Sequence, residues 1–119
     1  MMKKLSVLLV DDENEFVTTL AERLSLRGIM VRTAVSGEEA LRMIEAEQPQ
    51  AVVLDVRMPD ISGMVVLQQI KARYPRIQVL LLSAHGSTRD GMEGMRLGAV
   101  DYLIKPVNID ELVLKLSNL

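Results

Sequence analysis

Residues 5–13 read Leu-Ser-Val-Leu-Leu-Val-Asp-Asp-Glu, an apolar run that stops at three acidic side chains. The run is nearly continuous in leucine and valine, whereas a strand with one face in water alternates apolar and polar side chains. Continuous apolar character is typical of a strand that is covered on both faces, as in a parallel sheet between helices. The segment therefore predicts a central strand of an α/β fold, with carboxylates at its end.

Four more segments have the composition of strands, and helix-like segments separate them. The predicted strands comprise residues 5–10, 29–33, 51–55, 77–83 and 101–104. Strict alternation of strand and helix predicts parallel strands joined by right-handed crossovers. Five strands in 119 residues favour an open, doubly wound (βα)5 sheet over an eight-stranded barrel. We expect a single domain that spans residues 1–119.

The helix-like segments carry recognisable start signals. Ser36 and Asn108 are each followed three residues later by a glutamate, the pattern of a capping box. Asp12 begins a weaker version of the same pattern. Gly91 and Gly94 lie inside the fourth predicted helix and lower its intrinsic helix propensity by about 1 kcal/mol each relative to alanine.

The composition excludes several classes of protein. A net charge of −2 offers no basic surface for nucleic acid, so we expect no direct DNA or RNA binding by this segment. The absence of cysteine excludes disulfides and thiolate metal sites. No apolar run is long enough to cross a bilayer, and the N-terminal run lacks a signal-peptide cleavage site. We expect a cytoplasmic protein without a membrane partner.

Polar side chains follow four of the five predicted strands. These residues are Asp11 and Asp12, Asp55, Ser83, and Lys105. Because the carboxyl ends of parallel strands meet at one edge of a sheet, the side chains should converge there. Three carboxylates that lie together repel one another unless a cation compensates them, and Mg²⁺ prefers oxygen ligands. A carboxylate can also attack a phosphoryl group, and a lysine can neutralise the oxygens of that group.

Each of these side chains also has an ordinary structural explanation when it is taken alone. Asp12 could cap a helix, Ser83 could be a loop residue, and Lys105 could be a surface lysine. It is their spacing on successive parallel strands that favours a joint function as a phosphoryl acceptor.

Four motifs, in their order and spacing, resemble the response-regulator receiver family. They are Val10-Asp-Asp-Glu at 10–13, Leu-Asp-Val-Arg-Met-Pro-Asp at 54–60 with Gly63, Leu-Ser-Ala at 82–84, and Gly-Ala-Val-Asp-Tyr-Leu-Ile-Lys-Pro at 98–106. The resemblance covers essentially the whole chain. It implies a flavodoxin-like or CheY-like sheet with strand order 2-1-3-4-5. It also implies a phosphorylatable receiver of a two-component phosphorelay.

The resemblance implies a metal-dependent phosphorylation site. Asp55 would accept the phosphoryl group from a sensor histidine kinase or a phosphotransfer protein. Asp12 would bind Mg²⁺ or Mn²⁺ directly, Asp11 would hold the metal or its waters, and Asp55 and the backbone carbonyl of Arg57 would complete the protein ligands.

The resemblance also implies roles around that site. Lys105 would pair with the phosphoryl group, Ser83 would bond it, and Tyr102 would follow as a coupled rotamer switch. Arg57 and His85 would flank the path of the attacking water and tune the phosphate lifetime. The peptide bond between Lys105 and the next proline would be cis.

The implied function is a signalling switch that catalyses its own phosphorylation and dephosphorylation. Its output surface would comprise the fourth helix, fifth strand and fifth helix, which would bind a second copy or an output domain. A haloacid-dehalogenase-like phosphatase is disfavoured because Arg57 stands where its second aspartate would follow Asp55. A flavodoxin-like cofactor module would need a Ser/Thr/Gly-rich loop in place of the acids after the first strand. A receiver that only docks partners, without phosphorylation, is the remaining alternative.

Overall fold

The computed structural model describes residues 4–84 and 88–119. Strands and helices alternate along the chain: β1 (Ser6–Val10), α1 (Asn14–Ser25), β2 (Met30–Ala34), α2 (Gly37–Ala46), β3 (Ala51–Asp55), α3 (Gly63–Arg73), β4 (Gln78–Ser83), α4 (Thr88–Arg96), β5 (Asp101–Ile104) and α5 (Ile109–Ser117). All strand pairs are parallel, in the order β2-β1-β3-β4-β5. The predicted fold and strand order are confirmed, and no strand boundary is displaced by more than one residue.

The sheet separates two aliphatic layers of core. Leu8 and Leu54 face α2 and α3, whereas Leu9 and Val53 face α1 and α5. Every residue of β3 is buried, which explains why the apolar run in this strand is continuous. The two layers hold the carboxyl ends of β1 and β3 side by side.

The capping predictions are partly confirmed. The side chains of Ser36 and Asn108 each accept a hydrogen bond from the backbone N–H three residues later, at 3.1 and 3.0 Å. The prediction for Asp12 is wrong, because α1 begins one residue later and its N-cap position belongs to Glu13. Asp11 instead accepts a hydrogen bond from the Glu13 N–H at 3.0 Å. Asp12 therefore does not cap α1 and lies at the carboxyl edge of the sheet, just after β1.

The peptide bond between Lys105 and Pro106 is cis, as the family resemblance implies. Within the described parts of the chain, none of the helices combines the length and the apolar character that a bilayer crossing requires.

Candidate functional site

Three carboxylates meet at the carboxyl edge of the sheet. Asp11 and Asp12 follow β1, and Asp55 ends the neighbouring β3. One carboxylate oxygen from each residue lies within 4.8 Å of the other two. Asp11 is 1% exposed and Asp55 is 6% exposed, whereas Asp12 lies on the surface. Two carboxylates of the cluster are therefore buried, and the third, Asp12, faces solvent.

Lys105 contributes a positive charge to this acidic cluster. Its Nζ donates a hydrogen bond to Asp11 Oδ2 at 2.7 Å and lies 3.5 Å from Asp55 Oδ1. It also lies 3.9 Å from Glu13 Oε1 and 5.1 Å from the centre of the Phe16 ring. The last contact is a cation–π interaction, because the ring face is electronegative. The ammonium thus partly compensates the acids and stands beside the predicted nucleophile.

Burial and like charges make Asp55 a weaker acid than usual. Desolvation, followed by the negative charge of Asp11, raises the pKa of Asp55 from 3.8 to about 6, although the positive charge of Lys105 opposes the shift. Burial alone would lower the pKa of Lys105, but the hydrogen bond with Asp11 and the nearby carboxylates outweigh burial and raise it. Near neutral pH the site therefore holds an ionised Asp55 and a charged Lys105.

The donor set fits a hard divalent cation. Mg²⁺ takes one or two carboxylates, retains several waters and binds phosphate oxygens. Asp11, Asp12 and Asp55 offer carboxylate oxygens, and the exposure of Asp12 leaves one side accessible to water. The backbone N–H of Arg57 favours the ionised form of the Asp55 carboxylate and lowers its pKa. The Arg57 backbone, whose carbonyl is the fourth predicted ligand, therefore lies close to the cluster.

Of the predicted switch residues, Ser83 lies at this edge, and Tyr102 lies two residues before the end of β5. Ser83 is fully buried at the end of β4, and its hydroxyl donates to the Ala84 carbonyl at 3.4 Å. Tyr102 is half-buried in β5, and its ring packs so closely on Gly91 of α4 that a Cβ there would overlap ring atoms. His85, predicted to tune the phosphate lifetime, lies outside the described residues.

Some contacts of the site could not be read from local patterns. Phe16 has the helical spacing of a core residue, and nothing in that spacing indicates its contact with Lys105. Asp60 accepts hydrogen bonds from the N-terminus of α2, 23 and 22 positions away. Because capping patterns relate residues a few positions apart, they do not reveal such a long-range cap.

The elevated pKa of Asp55 gives a prediction that needs no phosphorylation. In metal-free protein we expect the Asp55 carboxyl to titrate with a midpoint near pH 6, measured by the ¹³C chemical shift of its carboxyl carbon. Lys105→Met should raise the midpoint, since the ammonium favours the ionised form. Asp11→Asn should lower it, since a repelling charge is removed. A midpoint near 4 in all three proteins would contradict this description of the site.

Comparisons with known proteins agree with this geometry. The sequence model of the family described as "Response regulator receiver domain" matches residues 7–117. The chain is 41% identical over 113 residues to "Transcriptional regulatory protein PrrA" of Mycobacterium tuberculosis, which covers 95% of this chain and 48% of the relative. It is 40% identical over 118 residues to "Probable transcriptional regulator ycf27" of Cyanophora paradoxa, and the match covers 99% of this chain and 49% of that relative. The chain thus spans about half the length of these relatives.

Solved structures give the same result. The receiver domain of NtrX from Brucella abortus is similar with a TM-score of 0.90 and 32% identity, over 94% of this chain and 95% of that one. A putative response regulator from Chloroflexus aurantiacus is similar with a TM-score of 0.92 and 35% identity, over 98% of this chain and 97% of that one.

Proposed function

This chain belongs to the response-regulator receiver domain family, and we propose that its Asp55 accepts a phosphoryl group in a Mg²⁺-dependent reaction. The observation that supports the proposal most strongly is the convergence of Asp11, Asp12 and Asp55 around the ammonium of Lys105. As a fold stabiliser this arrangement is poor, because it crowds buried like charges. As a phosphorylation site it provides a nucleophile, metal ligands and a counter-charge. Residues 1–119 would act together as one phosphoacceptor domain.

The protein's own residues supply the nucleophile and part of the charge compensation. An oxygen of the ionised Asp55 would form a bond to phosphorus, while the bond from phosphorus to the histidine nitrogen of the donor breaks. The electron pair of that bond remains on the nitrogen. Lys105 Nζ, now 3.5 Å from Asp55 Oδ1, would donate a hydrogen bond to an oxygen of the transferred group. Ser83, at the end of β4, would donate another.

Metal binding would fall to the acidic cluster. Asp11, Asp12, Asp55 and the backbone carbonyl of Arg57 would hold Mg²⁺ or Mn²⁺, with Asp12 as the solvent-facing ligand. When bound, the ion would neutralise charge on the phosphoryl oxygens during transfer. Asp12 would take no part in bond formation, so its loss should weaken metal binding without removing the nucleophile.

The output surface is proposed to comprise α4, β5 and α5. Apolar side chains on these elements are exposed: Met92 by 69%, Met95 by 44%, Ile104 by 39% and Leu114 by 62%. A phosphoryl group that draws the Ser83 hydroxyl inward would favour one packing of Tyr102 against α4. The partner would be a second copy or an output domain. The relatives' names describe transcriptional regulators, which supports transcriptional control by the whole protein.

The upstream partner is proposed to be a sensor histidine kinase or a phosphotransfer protein in the cytoplasm. A haloacid-dehalogenase-like phosphatase is not favoured, since Arg57 stands where its acid/base aspartate would follow the nucleophile. A docking module that is never phosphorylated would have no use for the buried Asp11 and Asp55. Labelling by phosphoramidate, which such a docking module would not undergo, separates that alternative from the proposal.

Phosphorylation should depend on Mg²⁺ through Asp12. With phosphoramidate and Mg²⁺ we expect the intact wild-type protein to gain about 80 Da, the mass of one phosphoryl group, and to remain unlabelled in EDTA. Asp12→Ala should raise the Mg²⁺ concentration for half-maximal labelling by about tenfold or more, since one carboxylate ligand is lost. Glu15→Ala removes a nearby acid outside the cluster and should leave this concentration unchanged. Labelling without Mg²⁺, or equal Mg²⁺ dependence in both variants, would refute the proposed metal site.

A further inference from the structure

Asp60 joins two parts of the fold that are distant in sequence. It lies in the β3–α3 loop, residues 56–62, and its carboxylate reaches the start of α2. Oδ1 accepts a hydrogen bond from the Gly37 N–H at 3.1 Å, and Oδ2 accepts one from the Glu38 N–H at 2.9 Å. Ser36 Oγ accepts from the next N–H of the same helix. Three consecutive donors of the first turn of α2 are thus satisfied, two of them by the β3–α3 loop.

The chemistry of this contact favours a persistent link. The N-terminus of a helix carries partial positive charge and unsatisfied N–H groups, so it attracts a carboxylate. The hydrogen bond from the Glu38 backbone, with that from Gly37, lowers the pKa of Asp60 below its usual value. Asp60 is therefore ionised throughout the neutral range.

An apolar contact accompanies the hydrogen bonds. A Cβ on Gly37 would lie 2.8 Å from Cγ1 of Ile61, so the residue after Asp60 packs tightly on the first residue of α2. The ends of the loop are fixed separately. The Val56 N–H donates to the β4 backbone at 3.0 Å, and the Gly63 N–H donates to the Val56 carbonyl at 2.7 Å. Asp60 and Ile61 thus attach the middle of the loop to α2.

We propose that Asp60 is a positioning residue for the phosphorylation site: by binding the N-terminus of α2 it holds the loop that carries the Arg57 backbone beside the acidic cluster. Arg57 lies between the attachment at Val56 and the attachment at Asp60, and its backbone N–H lowers the pKa of the neighbouring Asp55. This inference rests on the proposed function, since it assigns the Arg57 carbonyl to the metal. The carboxylate of Asp60 accepts its hydrogen bonds from the N-terminus of α2, so its effect on the metal site would come through ligand placement.

The test compares two caps of one helix. Asp60→Ala removes the loop's attachment to α2, Asp60→Asn retains a single acceptor oxygen, and Ser36→Ala removes the local cap of α2 without touching the loop. Mg²⁺ affinity is measured by isothermal titration calorimetry on the unphosphorylated full chain. The midpoint of thermal unfolding is measured without metal. Labelling by phosphoramidate is then followed as a function of Mg²⁺ concentration.

We expect Asp60→Ala and Ser36→Ala to lower the unfolding midpoint by similar amounts of a few degrees, because each removes capping bonds of α2. Only Asp60→Ala should weaken Mg²⁺ binding, by about tenfold, with Asp60→Asn intermediate. Its labelling rate should return to the wild-type value at saturating Mg²⁺, since the chemistry at Asp55 is intact. If Asp60 acted only by stabilising α2, Ser36→Ala would weaken Mg²⁺ binding as much as Asp60→Ala does.

Two results would overturn the inference while the proposed function stands: Asp60→Ala binding Mg²⁺ as tightly as wild type, or Ser36→Ala weakening it to the same extent. If the wild-type protein bound no Mg²⁺, the proposed function and this inference would both fail. The calorimetric titration of the wild type therefore distinguishes the two failures.

Discussion

Asp55→Asn should abolish phosphorylation and, at the same time, make the metal-free protein more stable at neutral pH. The amide has nearly the shape of the carboxylate but is a far poorer nucleophile for phosphorus. We therefore expect labelling by phosphoramidate to fall to background. A residue that served the fold alone would not combine loss of function with a gain in stability.

The gain in stability follows from the raised pKa of Asp55. The folded pKa is about 6 and the ordinary value is 3.8, so folding favours the protonated form. Below pH 3.8 the carboxyl is neutral in both states and costs nothing. As the pH rises to about 6 the cost of holding the buried anion grows, and it is complete above that pH. Asp55→Asn removes this cost, on the order of 3 kcal/mol at pH 7.5.

Urea unfolding of wild type and Asp55→Asn at pH 7.5 and pH 4, both without metal, measures this effect. The difference in the free energy of unfolding should be large at pH 7.5 and small at pH 4. Glu45→Gln, which neutralises an exposed acid of α2, should change stability little at either pH. Destabilisation by Asp55→Asn at pH 7.5, or labelling of that variant at the wild-type rate, would contradict the assigned role of Asp55.

Gly63→Ala should destabilise the fold strongly, although alanine is the better helix former. A Cβ on Gly63 would overlap the Asp55 carbonyl oxygen and lie 2.8 Å from the Val56 Cα. These are backbone atoms, so no side-chain rotation relieves the contact and either the end of β3 or the start of α3 must move. Alanine contributes about 1 kcal/mol through helix propensity, but overpacking of this kind costs about 3 kcal/mol. The cost of overpacking therefore exceeds the gain in helix propensity, and Gly63→Ala should be less stable than the wild type.

Gly37→Ala is the matched control, because Gly37 is likewise the first residue of a helix. Its Cβ would lie 2.8 Å from Ile61 Cγ1 and 2.9 Å from Val66 Cγ2, which belong to side chains that can adjust. We therefore expect a smaller loss for Gly37→Ala than for Gly63→Ala in chemical denaturation. Equal stability of the two variants would mean that the backbone contact at Gly63 relaxes at little cost.

The fold was predictable because its signals are local and repeated. Continuous apolar runs such as residues 51–55 follow directly from burial of a strand on both faces. Parallel connectivity then brings the strand ends to one edge, which is why Asp11, Asp55 and Lys105 could be expected to converge. The prediction that Asp12 caps α1 was wrong by one residue, because the helix begins at Asn14 and its N-cap position belongs to Glu13.

The remaining features depend on contacts between distant residues. Gly91 and Gly94 can be read from sequence as weak points of α4, but the structure shows a packing reason for both. A Cβ on Gly91 would overlap the Tyr102 ring, and one on Gly94 would overlap the Leu81 side chain. Likewise the capping of α2 by Asp60 follows from the path of a loop, which no local pattern specifies. Such contacts become visible only once the elements are packed.

Asp55 is the residue proposed to receive the phosphoryl group. The most direct test is to incubate the wild-type protein with phosphoramidate and Mg²⁺, digest it at acidic pH, and locate the adduct by tandem mass spectrometry. We expect an increase of about 80 Da on the peptide that contains Asp55 and on no other peptide. An adduct on His85 or on a carboxylate other than Asp55, or no adduct at all, would show that Asp55 is not the phosphoacceptor.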